Sequence, residues 1–399
     1  MGSEATWKLG VLTSHPIQYQ APLFRALSER VDLHVYFAHR ASAENQAEAG
    51  FGIGFDWDVD LTSGYANSFL RNIAKRPSIS RFDGCDTPAV ARCIAAGGYD
   101  AFLVFGWHLK AYLQAARACR RLGVPVLART DSHLEAPRSL AKRAIKALLY
   151  PFFLRRFDAF LPTGSRAGDY LLRYGISADR IFVVPYCVDV ERFQRQAAVA
   201  RRHKRQAVRA GWGVNPGERV LLFVGKLIEC KRPADLLSAV RRLAQLGVSA
   251  RAVFVGAGRL EADLKRQAEG QGVPAHFAGF TNQTEMPAIY AAADVLVLPS
   301  ESETWGLSVN EAFACDLPAV VSDAVGCTPD MIDEGLTGSV FRVGDVAGLA
   351  TAVLGLASDG REAARSAALA EKSAQYSPAR SADAVVEAMR GLLACKGTR

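Results

Sequence analysis

The sequence has no long apolar segment. Of its 399 residues, 50% are hydrophobic and 22% are charged, yet no apolar run reaches the roughly 20 residues that a membrane-spanning helix needs. The first residues also lack a basic stretch followed by an apolar one, so we expect no secretory signal. We therefore expect a soluble, cytoplasmic protein. Peripheral attachment to the inner face of a membrane stays open.

Paired cysteines are also absent from the sequence. The eight cysteines are scattered, at positions 85, 93, 119, 187, 230, 315, 327 and 395. None forms a Cys-x-x-Cys pair or has histidines at metal-binding spacing. This pattern favours reduced thiols in a cytosolic protein over a disulfide framework or a zinc site.

Acidic residues are fewer than basic ones, and the formal net charge is +8. Such a charge favours an anionic partner, which could be phosphate groups, nucleic acid or acidic lipid. Much of the basic excess lies in stretches such as RRHKRQAVR (201–209), which is typical of a solvated, linker-like segment. The charge alone therefore does not indicate a nucleic-acid partner.

Strands and helices alternate along the chain, and this rhythm starts twice. Apolar runs separated by helical patterns fill residues 8–189, and the same order begins again at residue 219. This alternation predicts parallel sheets with helices on both faces. The predicted class is α/β, with two tandem Rossmann-like doubly wound domains. Ligands are expected at the carboxyl ends of the strands, facing a cleft.

A polar, arginine-rich segment separates the two halves. We interpret residues 191–216 as the linker between the domains. The predicted organisation is a first domain at 1–195, a second domain at 196–375 and a C-terminal helix within 376–399. The pattern gives no indication of the oligomeric state.

The segment FVGKLIECKRP (223–233) combines features of a diphosphate site. A strand ends at Gly225, a short loop carries Lys226 and Lys231, and a helix begins at Pro233. Glycine lets a ligand approach the backbone, a helix N-terminus favours an anion, and lysines add positive charge. Two ordinary surface lysines explain this stretch equally well, and the ending of a Walker loop is missing.

A second glycine-rich turn, FVGAGRLEADL (254–264), follows another strand. Gly256 and Gly258 match the first part of a dinucleotide fingerprint, but Glu261 replaces the third glycine. The substitution argues against NAD binding. We interpret the glycines as a tight strand-to-helix turn.

The stretch PSESETWGLSVNEAFAC (299–315) places carboxylates around the start of a predicted helix. Glu303 and Glu311 can both face its N-terminus, and a carboxylate suits the vicinal hydroxyls of a ribose or hexose. The backbone N–H groups near residues 306–308 suit a phosphate. A sugar nucleotide offers both groups. Acidic residues that only complement the helix dipole are the alternative, and they account well for Glu301.

The pattern P-S-x-x-E-x-x-G-L-x-x-x-E-A-x-A-C resembles the Glu-x7-Glu signature of retaining glycosyltransferases of the GT-B fold, family four. Three further segments resemble the same family in the expected order. They are RIFVVPYCVDVERF (180–193), VGKLIECKRPADLLSAV (224–240) and VVSDAVGCTPDMIDEGLTG (320–338). The resemblance therefore extends over nearly the whole chain.

The resemblance implies a donor site in the second domain and an acceptor site in the first. The implied donor-binding residues are Gly225, Lys226, Lys231, Glu303, Gly306, Leu307, Ser308 and Glu311. Among them, the two lysines would bind the diphosphate, Glu311 the ribose and Glu303 the transferred sugar. The co-substrate would be a UDP- or GDP-sugar, with no metal or other cofactor. The C-terminal helix would cross back to the first domain.

Departures from the family pattern define the remaining candidates. The loop SHPIQYQAP (14–22) replaces a glycine-rich turn, Asp131 stands where a histidine is common, and Thr304 and Trp305 replace glycine and phenylalanine. The candidate contacts to acceptor or sugar are His15, Gln18, Trp107, His108 and His133. The implied catalytic residues are Glu303, Asp131 and Lys231. A satisfied turn residue is an equal alternative for the contacts in the first domain.

The implied activity is transfer of a hexose to a glycan, lipid-linked or small-molecule acceptor, in glycan or polysaccharide biosynthesis. A sugar-nucleotide epimerase on the same fold and a non-catalytic anion-binding module are the alternatives. The basic, aromatic segment RSLAKRAIKALLYPFFLRRF (138–157) fits a membrane-surface helix, although a packed helix with a solvated basic face fits better. The sequence DVD (58–60) is interpreted as a chance match to a metal-binding motif.

Overall fold

The computed structural model describes residues 6–40, 54–134, 140–357 and 360–394. Within these ranges the chain forms two compact units. The first unit contains residues 6–40, 60–134, 140–187 and 378–394, and the second contains 54–59, 188–357 and 360–377. Each unit has its own parallel six-stranded sheet. The predicted α/β class is confirmed.

The first unit alternates strands and helices. Its strands are β1 (Lys8–Thr13), β2 (Asp32–Phe37), β3 (Ala66–Phe69), β4 (Ala101–Val104), β5 (Val126–Thr130) and β6 (Ala159–Pro162). Its first five helices are α1 (Ala21–Ser28), α2 (Val90–Gly97), α3 (Lys110–Leu122), α4 (Leu140–Leu154) and α5 (Ser165–Arg173). The strands lie in the order β3-β2-β1-β4-β5-β6.

The second unit repeats this plan. Its strands are β7 (Arg219–Val224), β8 (Ala250–Val255), β9 (Ala275–Gly279), β10 (Val295–Leu298), β11 (Ala319–Ser322) and β12 (Gly338–Phe341). Its helices are α6 (Val190–His203), α7 (Arg205–Gly211), α8 (Pro233–Gln245), α9 (Glu261–Gly270), α10 (Met286–Ala292), α11 (Leu307–Ala314), α12 (Thr328–Met331), α13 (Val346–Ala357) and α14 (Glu362–Gln375). The strand order is β12-β11-β10-β7-β8-β9.

The central strands are apolar along their whole length. Every residue of β4 and of β10 is buried, because helices cover both faces of a doubly wound sheet. This is why these strands appear in the sequence as continuous apolar runs rather than as alternating patterns. In a parallel sheet the carboxyl ends of adjacent strands share one edge, and the loops there carry the predicted site residues.

The last helix, α15 (Pro378–Ala394), completes the first unit. Its buried residues Ala382, Val385 and Met389 lie on one helical face. They belong to the same apolar cluster as Leu23 and Leu27 of α1. The C-terminal helix therefore returns to the first domain, as the family resemblance implied.

The predicted linker at 191–216 is wrong. Helices α6 and α7 occupy most of this segment and belong to the second unit. In α6, Phe193, Ala197 and Ala200 are buried at the spacing of one helical face. Arg205 and Arg209 of α7 are only partly exposed, and both donate to the carboxylate of Asp294, at 2.6 and 2.9 Å. The high charge of the segment hid its apolar period.

Two strands, β3 and β12, lack a strong sequence signal. The residues of β3 are only partly buried or exposed, so they do not form an apolar run. Strand β12 begins at Gly338, where a Cβ atom would collide with the carbonyl oxygen of Ala319. Across the described ranges, no helix combines the length and the apolar character needed to cross a bilayer.

Candidate active site

The carboxyl ends of β7 and β8 meet in two touching turns. Gly225 follows β7 with φ 153°, and Gly256 follows β8 with φ 134°, conformations that L side chains rarely adopt. A Cβ atom on Gly256 would collide with the carbonyl oxygen of Gly225, and one on Gly258 would meet the backbone of Leu227. The glycines at 256 and 258 therefore allow close backbone packing, which agrees with the predicted tight turn.

The loops after β7 and β10 bring Lys231 and Glu303 together. The backbone N–H of Glu301 donates to the carbonyl oxygen of Cys230 at 2.9 Å, which joins the two loops. Lys231 Nζ donates to Glu303 Oε2, and both side chains are mostly buried. The contact arises because β7 and β10 are neighbours in the sheet. The residue predicted to bind the donor phosphate thus contacts the residue predicted to face the sugar.

The electrostatic setting of Lys231 suits an anionic ligand. Burial lowers the pKa of Lys231 to about 8, and the nearby charge of Lys226 acts in the same direction. Burial also lowers the pKa of Lys226. The nearby Cys230 opposes the shift of Lys231, because a negative charge favours the protonated amine. A diphosphate beside both lysines would stabilise their charged forms by the same effect.

Glu311 is buried in the second turn of α11 and is held by two side chains. The Tyr290 hydroxyl donates to Oε2 at 2.7 Å, and Gln283 Nε2 donates to Oε1 at 3.4 Å. Arg192 extends this network, because it donates to Gln283 Oε1 at 3.0 Å. Burial raises the pKa of Glu311, while the bonds from Tyr290 and Gln283 oppose the rise. The network fixes the orientation of a carboxylate that is suited to bind hydroxyl groups.

Helix α11 begins at Leu307, within the stretch where a helix start was predicted. Gly306 precedes it with φ 103°, and a Cβ atom there would press against the side chains of Val325 and Leu298, at 3.0 and 3.1 Å. Glycine is therefore required at this position for both conformation and space. The backbone N–H groups of Leu307 and Ser308 lie in the first turn, where a helix offers donors to an anion.

The loop before α11 is held against the backbone of the segment that follows β11. A Cβ atom on Gly326 would collide with the carbonyl oxygen of Thr304, and the N–H of Cys327 donates to the carbonyl oxygen of Trp305 at 2.8 Å. Trp305 is buried, and its Nε1 donates to Asn310 Oδ1 at 2.8 Å. The tryptophan therefore fixes the loop from within the second unit.

The carboxyl edge of the first sheet holds a cavity of about 290 Å³. The predicted residues that line it are His15, Trp107, His108 and Asp131. Gln18 and His133 do not line it. His133 is nevertheless buried, and it lies two residues after Asp131 in the sequence. The structure thus brings four of the six candidates of the first domain together, and their roles stay predictions.

The two histidines of the cavity are uncharged at neutral pH. Burial lowers the pKa of His15 to about 4, and His39 adds to the effect. The His15 ring also makes a hydrogen bond of 2.9 Å with Ser14 Oγ through Nδ1. Burial lowers the pKa of His108 as well, although Asp131 opposes this shift. Both rings therefore offer hydrogen bonds rather than positive charge.

Sequence reasoning missed other residues that line this cavity. Among them are Tyr19, Arg129 and Tyr186. The rings of Tyr19 and Tyr186 pack edge to face at 5.3 Å, and the Tyr186 hydroxyl donates to Asp131 Oδ2 at 3.3 Å. Arg129 did leave a signal in the sequence, since it is a charged residue within the otherwise apolar strand VPVLART.

Both aspartates of the DVD sequence accept hydrogen bonds from backbone N–H groups. Asp58 accepts a hydrogen bond from the backbone N–H of Thr284 at 3.1 Å. Asp60 accepts from the backbone N–H groups of Thr62 and Ser63, at 3.0 and 3.1 Å. In the described part of the chain, no three His, Cys, Asp or Glu residues are grouped as metal ligands.

Comparison with known families identifies both halves of the chain. Residues 18–187 match the glycosyl transferase 4-like domain, and residues 204–374 match the glycosyl transferases group 1. The chain belongs to the group 1 glycosyltransferases, which are family-four enzymes of the GT-B fold.

A curated relative is the D-inositol 3-phosphate glycosyltransferase of Mycobacterium tuberculosis. It is 32% identical over 234 residues, which cover 57% of this chain and 47% of that protein. The same enzyme of Mycobacterium bovis matches equally. The chain spans about half the length of the curated relatives it matches.

Solved structures share the fold over nearly the whole chain. HepE of Anabaena, in complex with UDP and glucose, has a TM-score of 0.68 at 17% identity, covering 96% of this chain and 99% of that one. A glycosyltransferase of Rickettsia africae has a TM-score of 0.72 at 13% identity, covering 98% and 99%. Sucrose-phosphate synthase of Thermosynechococcus elongatus has a TM-score of 0.69 at 17% identity, covering 98% and 100%.

Proposed function

We propose that the protein is a retaining glycosyltransferase that moves a hexose from a UDP- or GDP-sugar to an acceptor hydroxyl in glycan biosynthesis. One observation carries this proposal. The second unit gathers Lys226, Lys231 and Glu303 at one sheet edge, with Glu311 in the helix that follows. The structurally similar HepE was solved in complex with UDP and glucose, which supports a UDP-sugar as the first donor to test.

Different groups of the second unit would bind different parts of the donor. The lysines and the first-turn N–H groups of α11 would hold the diphosphate and stabilise the charge that develops on it, with no metal ion required. Glu311 would accept hydrogen bonds from the ribose hydroxyls. Glu303 would accept from the sugar hydroxyls when the diphosphate replaces it as the partner of Lys231.

The proposed reaction exchanges one bond at the anomeric carbon for another. The bond to the diphosphate oxygen breaks, and the acceptor oxygen forms the new bond on the same face of the sugar. The acceptor proton passes to the departing diphosphate, so the products are the glycoside and the nucleoside diphosphate. Asp131, on the first unit, is the candidate to orient the acceptor hydroxyl or the sugar.

A thermal-shift titration tests the donor site. UDP, GDP, ADP, TDP and NAD are added separately to the full chain and to Lys231→Ala. We expect one diphosphate to stabilise the wild type, by roughly 2.7 kcal/mol at a hundred times its dissociation constant. The Lys231→Ala protein should not respond. A response to NAD alone would contradict the proposal.

Product analysis separates transfer from the alternative chemistry. The matching nucleotide sugar is incubated with and without a panel of sugar, sugar-phosphate and lipid-linked acceptors. A transferase consumes the donor rapidly only when an acceptor is present and gives a product with retained configuration. A modified sugar or sugar nucleotide formed without any acceptor would instead identify an epimerase.

We propose that helix α4 attaches the protein to an anionic membrane surface. Its exposed apolar residues are Ile145, Leu148, Leu149 and Phe152, and they follow the i, i+3, i+4, i+7 spacing of one face. Arg155 and Arg156, both exposed, follow at the end of the helix. An apolar face beside basic residues fits insertion at a lipid surface. Seven cysteines of the described ranges are free thiols, which supports the cytoplasmic face.

Vesicle sedimentation tests this attachment. The wild type should bind vesicles that contain phosphatidylglycerol more strongly than vesicles of phosphatidylcholine alone. A Leu148→Ser, Phe152→Ser double variant should lose this binding. Leu172→Ser, which changes an exposed leucine on α5, is the matched control and should bind like the wild type. Equal sedimentation of the double variant and the wild type would refute the role of α4.

A further inference from the structure

Arg129 is a buried arginine at the carboxyl end of β5. Only 4% of the residue is exposed, and its guanidinium carbon lies 5.1 Å from the centre of the Tyr186 ring and 5.8 Å from that of Phe105. Burial lowers the pKa of Arg129, but arginine stays protonated at neutral pH because its ordinary pKa exceeds 12. A buried charge of this kind is costly unless it is paired.

The hydrogen bonds of Arg129 are incomplete. Nη2 donates to the carbonyl oxygen of Pro185 at 3.0 Å, while Nε and Nη1 are buried and have no hydrogen-bond partner in the described structure. No carboxylate of the described residues lies within ion-pair distance of the guanidinium. Asp131, two residues further on, accepts the Tyr186 hydroxyl instead. A guanidinium that has two N–H groups without acceptors and no nearby counter-charge is suited to bind an oxyanion.

Among the described arginines of the first unit, no other has buried N–H groups without a partner. Arg180 donates through Nε to the carbonyl oxygen of Asp158 and through Nη2 to that of Phe157. Arg30 donates to the Asp383 carboxylate at 2.6 Å. The missing partners are therefore a local property of Arg129 and not of arginines in this unit.

The surroundings of Arg129 form a site of sugar size. Arg129 lines the cavity at the carboxyl edge of the first sheet, together with the hydroxyl-bearing residues Thr130 and Ser132. Among the described residues lining this cavity, Arg129 is the one permanent cation, since His15 and His108 are neutral. The volume of about 290 Å³ is at the lower limit for small-molecule pockets, roughly 300–1,000 Å³.

We propose that the acceptor carries an oxyanion, a phosphate or a carboxylate, and that Arg129 binds this group in the cavity of the first unit. The statement about the acceptor rests on the proposed glycosyltransferase function. The anion site itself rests only on the geometry around Arg129. The anion would complete the hydrogen bonds of the guanidinium and orient the acceptor for attack.

Anion binding to the full chain tests the proposal directly. Inorganic phosphate and acetate, each compared with chloride at equal ionic strength, are titrated in thermal-shift measurements with and without saturating UDP. We expect one oxyanion to stabilise the wild type beyond chloride under both conditions. The stronger of the two shows whether the site takes a phosphate or a carboxylate.

Variants assign the binding to the arginine. Arg129→Gln should raise the dissociation constant of the oxyanion at least about tenfold, since losing hydrogen bonds to a charged group weakens binding by that factor or more. Arg129→Lys, which keeps the charge without the fork, should be intermediate. Arg117→Gln, at an exposed position on α3, should bind like the wild type. Near-ultraviolet circular dichroism of each variant verifies the fold.

Three outcomes overturn the proposal. The first is a wild type that no oxyanion stabilises beyond chloride, and the second is an unchanged oxyanion response in both Arg129 variants. The third is an Arg129→Gln protein that no longer responds to UDP, because Arg129 would then serve the donor diphosphate. If no nucleotide binds the wild type but phosphate binding still requires Arg129, the proposed function fails and the anion site stands.

Discussion

The two sheets have the same strand order, but their carboxyl edges carry side chains of different chemistry. Relative to its own first strand, each unit has the order 3-2-1-4-5-6 of a Rossmann fold. At the edge of the second sheet, Lys231 contacts Glu303, and Lys226 lies nearby. The edge of the first sheet is aromatic and mostly uncharged, with Arg129 as an isolated cation. The same scaffold thus presents one site rich in charge and one site with few charged groups.

The difference suits two kinds of ligand. A nucleoside diphosphate brings several charges and two sets of hydroxyls, so its site needs lysines, helix N–H groups and carboxylates together. A sugar-like acceptor brings hydroxyls and at most a few charges, so aromatic faces and neutral imidazoles are sufficient. In the proposed reaction, the fold would fix where each ligand binds, and the loops would determine which ligand it is.

Removing the cation of the charged edge should have the largest effect. We expect Lys231→Ala to lower the rate of sugar transfer by about 10²–10³, the loss typical of a group that stabilises developing negative charge. Steady-state kinetics with the matching nucleotide sugar measure this. Lys265→Ala, an exposed lysine on α9, should behave like the wild type. An unchanged rate in Lys231→Ala would show that the positive charge at the edge of the second sheet does not contribute to catalysis.

A smaller loss is expected when the support of Glu311 is weakened. Tyr290→Phe removes the hydroxyl that donates to Glu311, a bond to a charged group worth about 1.5–3 kcal/mol. The dissociation constant of UDP, measured by calorimetry, should rise roughly tenfold or more. Tyr99→Phe removes a hydroxyl bonded to neutral Tyr36 in the first unit and should leave UDP binding unchanged. Equal UDP affinities of the wild type, Tyr290→Phe and Tyr99→Phe would contradict the proposed contact between Glu311 and the ribose.

The smallest and most gradual effect should come from pH. Because the pKa of Lys231 is lowered to about 8, the free protein loses this charge above that pH. The dissociation constant of UDP should then rise, by up to about tenfold per pH unit. Lys231→Arg, which stays charged, should show a flatter profile. A steep rise in both proteins would assign the titration to another group.

Stability should respond to the same titration in the opposite direction. Between about pH 8 and the ordinary value of 10.5, the folded protein binds fewer protons at Lys231 than the unfolded chain does. The contribution of Lys231 to the free energy of unfolding should therefore increase with pH in this window. Urea unfolding of the wild type and Lys231→Arg at several pH values measures the difference.

The fold was predictable because its strongest signals are local. Continuous apolar strands such as β4 and β10 stand out from the helical patterns around them. The segment 191–216 was misinterpreted because its arginines pair with a residue far along the chain. Arg205 lies 89 residues before its partner Asp294, and no local pattern reveals such a contact.

The two sites differed in how far the sequence could predict them. Glu303 and Glu311 belong to one short motif, so their spacing around a helix start was visible. The residues that hold Glu311 are dispersed, and Arg192 reaches Gln283 across 91 positions. The cavity of the first unit is made by loops from several strands, so its lining depends on tertiary structure. Among the cavity residues that sequence reasoning missed, Arg129 is the one with a local signal, because it is a charged residue in a buried strand.

The position of α15 has a consequence for how the protein is made. The helix is the last described element of the chain, yet it belongs to the unit that is translated first. Until it emerges from the ribosome, the faces of Leu23 and Leu27 lack the residues that cover them. The nascent first unit therefore has to wait, with an exposed apolar surface, while the whole second unit is synthesised. Chaperone binding during synthesis should concentrate on this surface.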